Sequence, residues 1–167
     1  MSEADGGAIA FVPFCPSDLG GLRLQGAEAY LQPVVEGGAG HHLAVPGLAW
    51  SGMIDGRVVG CAGVWPIWEG RASTWALFGE IPKPQWLRLH RHVLRVLERA
   101  HGLGYWRIEA AVDAGFAPGR RWVSALGFVN ETPEAMAGYG PTGRDFLLYA
   151  RIDVARLAAS RVEGAAA

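Results

Sequence analysis

The chain has 167 residues, half of them hydrophobic and 19% charged, with a formal net charge of −1. Those proportions suit a compact, folded chain and argue against disorder. The near-neutral charge gives no global field for nucleic acid or an anionic membrane, and two cysteines are too few for a disulfide framework.

In chain order, Met1 to Gly7 is polar. Ala8 to Phe14 reads as a short strand, and Ser17-Asp18 after Pro16 as the cap of a short helix through Leu24. Gly26 to Val35 is a second helical piece, ended by Pro33 and the glycines at 37–40. Leu48–Ile54 and Arg57–Val64 flank Asp55-Gly56, a strong short-range hairpin signal. Trp65 to Gly70 reads as a turn and Arg71 to Phe78 as the next strand.

A loop with Gly79, Pro82 and Pro84 opens a helix from Pro84 to Ala100. Trp86, Leu89, Val93, Val96, Leu97 and Ala100 fall on its apolar face, with Arg88, Arg91, His92, Arg95 and Arg99 opposite. Trp106–Asp113 is a buried strand beside Arg71–Phe78. It is followed by a helix around Arg120–Ala125 and a hairpin from Val129–Ala137 to Phe146–Ile152. The tail after Val154 is helical at most. The expected fold is mixed α/β with one domain over 1–153 and a tail over 154–167. No basic-then-apolar leader and no membrane-length apolar run occur, so the expected location is cytoplasmic.

Several residue groups have chemical potential. A helix start carries partial positive charge, and Lys83 and Arg88 beside it suit a phosphate, or are simply solvated. Interleaved Glu98 makes the arginine row a solvated face rather than a nucleic-acid surface. Arg120 and Arg121 either bind a second phosphate or pair with Asp113 or Glu109. Asp113 ends a strand, where ligands of open sheets bind. Glu109 is either a half-buried base with raised pKa or the partner of Arg107 or Arg71. Trp65 flanks a turn and edges either the core or a ligand cleft. His41-His42 lacks further ligands, so no metal site is expected.

Asp55 to Gly63, His101 to Glu109 and Arg120-Arg-Trp-Val-Ser-Ala-Leu-Gly-Phe128 resemble the second and third strands, the fifth-strand entry and the Leu-Gly-Phe helix of GNAT superfamily acetyltransferases. The likeness spans about Ala8 to Ile152. Val112–Phe116, Arg121-Trp122, Leu126–Phe128 and Gly138–Asp145 are similar to small phage- and prophage-encoded members. The resemblance implies a mostly antiparallel, twisted sheet of six to seven strands flanked by helices and splayed between the fourth and fifth. It also implies an acetyl-CoA-dependent N-acetyltransferase acting on a small-molecule or peptide amine.

In that frame acetyl-CoA is held by backbone amides at Phe78, Gly79 and Glu80 and by Lys83, Gln85, Arg88 and Arg120. Asp113 serves as base, with Glu109 as the second carboxylate, and Tyr139 shapes the acceptor pocket. The family's pyrophosphate motif starts on Gln85, but its two small residues fall on Arg88 and His90. Its usual tyrosine acid falls on Val123. The alternative is a non-catalytic phage structural or accessory protein, virion-associated, with a phage-protein partner. A homodimer is compatible with either reading.

Overall fold

The computed structural model describes residues 7–32, 36 and 40–165. Seven strands, β1 (Ala10–Pro13), β2 (Ala49–Ile54), β3 (Arg57–Trp68), β4 (Arg71–Phe78), β5 (Arg107–Asp113), β6 (Val129–Asn130) and β7 (Phe146–Ile152), form one sheet in the order β1-β2-β3-β4-β5-β7-β6. The β4/β5 pair is parallel, whereas β1/β2, β2/β3, β5/β7 and β6/β7 are antiparallel. Among the described residues the sheet is accompanied by the α-helices α1 (Trp86–Gly102), α2 (Ala117–Ala125) and α3 (Val154–Ala165). Among the described residues no helix is long and apolar enough to cross a membrane.

The contacts group the chain into two compact units. The first runs through Gly63 and includes Trp75–Leu94. Its core is Phe14, Leu19, Leu22, Ala49 and Cys61, with Trp75 and Leu77 packed against them. The β2–β3 hairpin turns at Asp55 and Gly56, both with positive φ, which matches the right-handed twist of the strands. Burial pushes the Cys61 thiol up to about 11, so it stays protonated against Ser51. Ser51 in turn donates to Asp18 at 2.6 Å, tying the first 3-10 turn to β2.

The second unit comprises Val64–Thr74 and the chain from Arg95 onward. Ile108, Ala110, Leu147, Tyr149 and Phe128 are buried there. Leu-Gly-Phe ends α2 because Gly127 N–H bonds Ser124 and Phe128 N–H reaches back to Val123, closing the last carbonyls.

Four expectations change. The two early helices are 3-10 turns, Pro16–Gly21 and Gly26–Leu31; the expected continuation over 33–35 lies outside the described residues. Trp65–Trp68 is strand, not turn, extending β3 beyond its last pair with β2 at Gly63. The turn is only Glu69-Gly70. His92 leaves the polar face of α1 and stacks on Phe11 at 3.8 Å between ring centroids. The first arm of the last hairpin shrinks to Val129–Asn130, with one further bridge from Met136 to Phe146.

Candidate functional site

Within the first unit, Gln25, the loop from Gly79 to Lys83, and Trp86 enclose an open cleft of about 560 Å³. The loop is braced by the Trp86 indole N–H, which donates to the Ile81 carbonyl at 3.2 Å. A Cβ on Gly79 would stand 2.6 Å from the Arg23 carbonyl, so only glycine lets the two backbones meet there. Lys83 is exposed in a 3-10 turn, Lys83–Gln85, that runs into α1. The partial positive charge of that helix start adds to its ammonium. Glu80, also exposed on the lining, opposes an anion.

The backbone differs from the expected amide cradle. Phe78 N–H donates to Glu28 Oε2 at 3.2 Å, and Gly79 N–H donates to the Val59 carbonyl at 2.9 Å. Two of the three expected donors are therefore engaged by the protein, and Pro82 and Pro84 have no N–H to give. Gln85 Oε1 accepts Ile9 N–H at 3.0 Å, which binds the helix start to the chain just before β1. Arg88 is exposed two residues into α1, and His90 is half-buried.

Glu28 has no counterpart among the residues expected from sequence. Its carboxylate accepts the Phe78 N–H and the Gln25 side-chain amide, the latter at 3.1 Å, and Gln25 N–H binds the Phe78 carbonyl at 2.9 Å. Burial pushes its pKa up and outweighs the two hydrogen bonds that pull it down. A lone glutamate in a short, aperiodic stretch carries no sequence signal of that environment.

The remaining expected residues lie in the second unit. Glu109 is 5% exposed and bonded through both oxygens to Arg71, at 2.9 and 2.8 Å, and also to Arg107. Burial works to raise its pKa, but the two guanidiniums hold it below the ordinary value. The raised-pKa alternative is thus corrected in favour of the ion pair. Arg107 also binds Glu131, and Arg71 stacks over Trp68 at 4.2 Å. Trp65 is 38% exposed on β3. Asp113 is buried, with one oxygen taking Gly115 N–H at 2.8 Å and the other Arg144 Nε at 2.5 Å. Both oxygens therefore hold the loops after β5 and before β7. Arg120 reaches the Ala114 carbonyl at 3.3 Å, not Asp113 or Glu109. Tyr139 is exposed and tilted against Phe146. Val123 is buried in α2. Among the described residues no group of three or more His, Cys, Asp or Glu could hold a metal ion.

The fold is that of acetyltransferase structures. The chain is similar to Ard1 from Thermoplasma volcanium, with a TM-score of 0.66 and 18% identity over 87% of this chain and 97% of that one. It is similar to a spermidine N-acetyltransferase chimera of Vibrio cholerae SpeG and hSSAT, with a TM-score of 0.63 and 14% identity over 89% and 98%. A GNAT-family acetyltransferase from Bacillus anthracis gives 0.58 and 12% over 89% and 96%. No protein-family model matches the chain, and no curated protein matches it.

Proposed function

We propose that the protein is an acetyl-CoA-dependent N-acetyltransferase acting on a small-molecule or peptide amine. The observation that carries the reading is the open cleft at the β4–α1 junction, with Lys83 at a helix start, in a fold shared with acetyltransferases. Acetyl-CoA supplies an activated acyl carbon and an anionic pyrophosphate. The residues present fit that anion through side chains: Lys83 on the cleft and Arg88 just inside α1 provide the positive charge. They do so in place of the glycine amides that Arg88 and His90 displace. Gly79 keeps the floor narrow enough for an extended arm, and Trp86 offers an apolar wall.

Titration calorimetry with acetyl-CoA tests the reading. The wild type should bind, and Lys83→Ala and Arg88→Ala should each weaken binding by about 1.5–3 kcal/mol, the worth of a hydrogen bond to a charged group. Removing the opposing charge with Glu80→Gln should tighten binding by about 0.2–1 kcal/mol, less at high salt. A wild type that gives no heat would refute the proposal and favour the non-catalytic alternative, which the engaged amides at Phe78 and Gly79 would then explain. Unaltered affinity in both cation variants would place the anion elsewhere.

A further inference from the structure

We propose that segment 25–32 is an internal competitor for the amide-bearing arm of acetyl-CoA: it occupies the edge of β4 at Phe78 and swings away when the arm binds. This inference rests on the acetyl-CoA reading above and adds a means of regulating that same site.

Every residue involved lies in the first unit. Phe78 ends β4, and its neighbour Gly79 gives its N–H to Val59 of β3. Phe78 itself is engaged elsewhere. Its carbonyl accepts Gln25 N–H at 2.9 Å, and its N–H reaches Glu28 Oε2 at 3.2 Å. A donor and an acceptor together on a strand edge are what an extended amide chain pairs with. Here a glutamine backbone and a glutamate side chain, remote in the chain, take both. Gln25 also lines the cleft, together with Gly79. The segment thus stands between the cleft and the Phe78 edge, and its departure joins the two.

The hydrogen bonds let the segment move as one piece. Its ends meet at a clasp, where Gln32 Oε1 accepts Leu24 N–H at 3.1 Å and Gln32 Nε2 donates to the Leu22 carbonyl at 3.2 Å. Leu22 is 2% exposed and belongs to the core, so the clasp is anchored. Between the ends, Glu28 N–H bonds the Gln25 carbonyl at 2.9 Å, and the Gln25 side-chain amide bonds the Glu28 carboxylate at 3.1 Å. Swinging about the clasp gives up the two bonds to Phe78 and keeps the internal ones. The amides of the arm then replace what Phe78 lost, so the exchange costs little.

The experiment measures acetyl-CoA binding by calorimetry in the wild type and in two variants that leave the charge unchanged and shift the segment in opposite directions. Gln25→Pro removes the N–H given to Phe78, and φ −60 at Gln25 already suits proline. Its Kd should fall roughly 3- to 10-fold, because the closed segment competes less. Gly26→Ala adds a carbon that meets nothing within 4 Å in the closed segment, at a residue without positive φ, and it restricts the open one. Its Kd should rise about 2- to 5-fold. A segment that serves stability alone would give no tightening in Gln25→Pro. Hydrogen exchange at Gln25 N–H should also accelerate when the wild type is saturated with acetyl-CoA, whereas a fixed wall would become protected. Should Gln25→Pro fail to fold, Gly26→Ala and the exchange measurement decide. Folded Gln25→Pro without tighter binding, Gly26→Ala with wild-type affinity, or slower exchange at Gln25 overturns the competitor and leaves the acetyl-CoA reading intact. No heat from the wild type or from either variant overturns both.

Discussion

Glu109→Ala should lower the free energy of unfolding by about 3–5 kcal/mol, because it removes the shared partner of two guanidiniums from a buried site. Arg71 and Arg107 flank a carboxylate only 5% exposed, and no other acid is bonded to Arg71 among the described residues. Arg107 retains Glu131, so the larger share of the loss falls on Arg71. Replacement by Gln should recover part of it through a neutral acceptor.

The pH dependence follows from the direction of the shift. Glu109 is held below its ordinary pKa in the folded chain. Its contribution is therefore complete above the unfolded-state pKa and disappears as pH falls through the depressed folded value. Urea unfolding at neutral pH and again in acid measures this, and the gap between wild type and Glu109→Ala should narrow in acid. A gap that is small at neutral pH, or indifferent to acid, would show the network to be inconsequential.

Gly70→Ala should lower stability by about 2–5 kcal/mol. The residue sits at φ 74, where an L side chain costs about 1–2 kcal/mol. Its Cβ would also fall 2.0 to 2.2 Å from three carbons of the Trp106 indole. The ring must move, and overpacking of that kind adds about 1–3 kcal/mol. Gly70 further supplies the carbonyl that accepts Arg107 N–H at 3.0 Å, so displacement is transmitted to the start of β5. Gly56→Ala is the natural comparison, since φ is 75 there but nothing lies within 4 Å of the added carbon. Thermal unfolding of the two variants should differ by the steric share alone. Equal losses would mean that the indole yields without cost.

Much of the architecture was legible from local pattern. The alternation in Arg71–Phe78, the Asp55-Gly56 turn, the apolar stripe from Trp86 to Ala100 and the Leu-Gly-Phe stop all report interactions within a few residues of themselves. Each reappears in the structure as β4, a positive-φ hairpin, α1 and the end of α2. Parallel pairing of β4 with β5 at Arg71–Arg107, Ala72–Ile108 and Ser73–Glu109 follows from the helix that connects them, since a parallel crossover needs such a connection.

The site was less legible, because the fate of a polar group depends on partners remote in sequence. Trp65–Trp68 contains proline and runs into Glu69-Gly70, which locally signals a turn, yet it continues β3 beyond the last pair with β2 at Gly63. His92 carries a titratable ring, yet Phe11, far away in the chain, supplied a stacking surface. The amides of Phe78 and Gly79 were drawn to Glu28 and Val59, which no spacing links to them. The same holds for the carboxylates: Glu109 met two arginines and Asp113 met Arg144, whereas Glu28 met the Gln25 amide and the Phe78 N–H. The sequence alone determined β4, the Asp55-Gly56 hairpin, α1 and the end of α2, because hydrophobic period and turn chemistry act locally. Only the tertiary structure decided which carboxylate pairs with arginine and which meets amide donors. Burial and charge pairing are settled by neighbours that the chain brings together in folding.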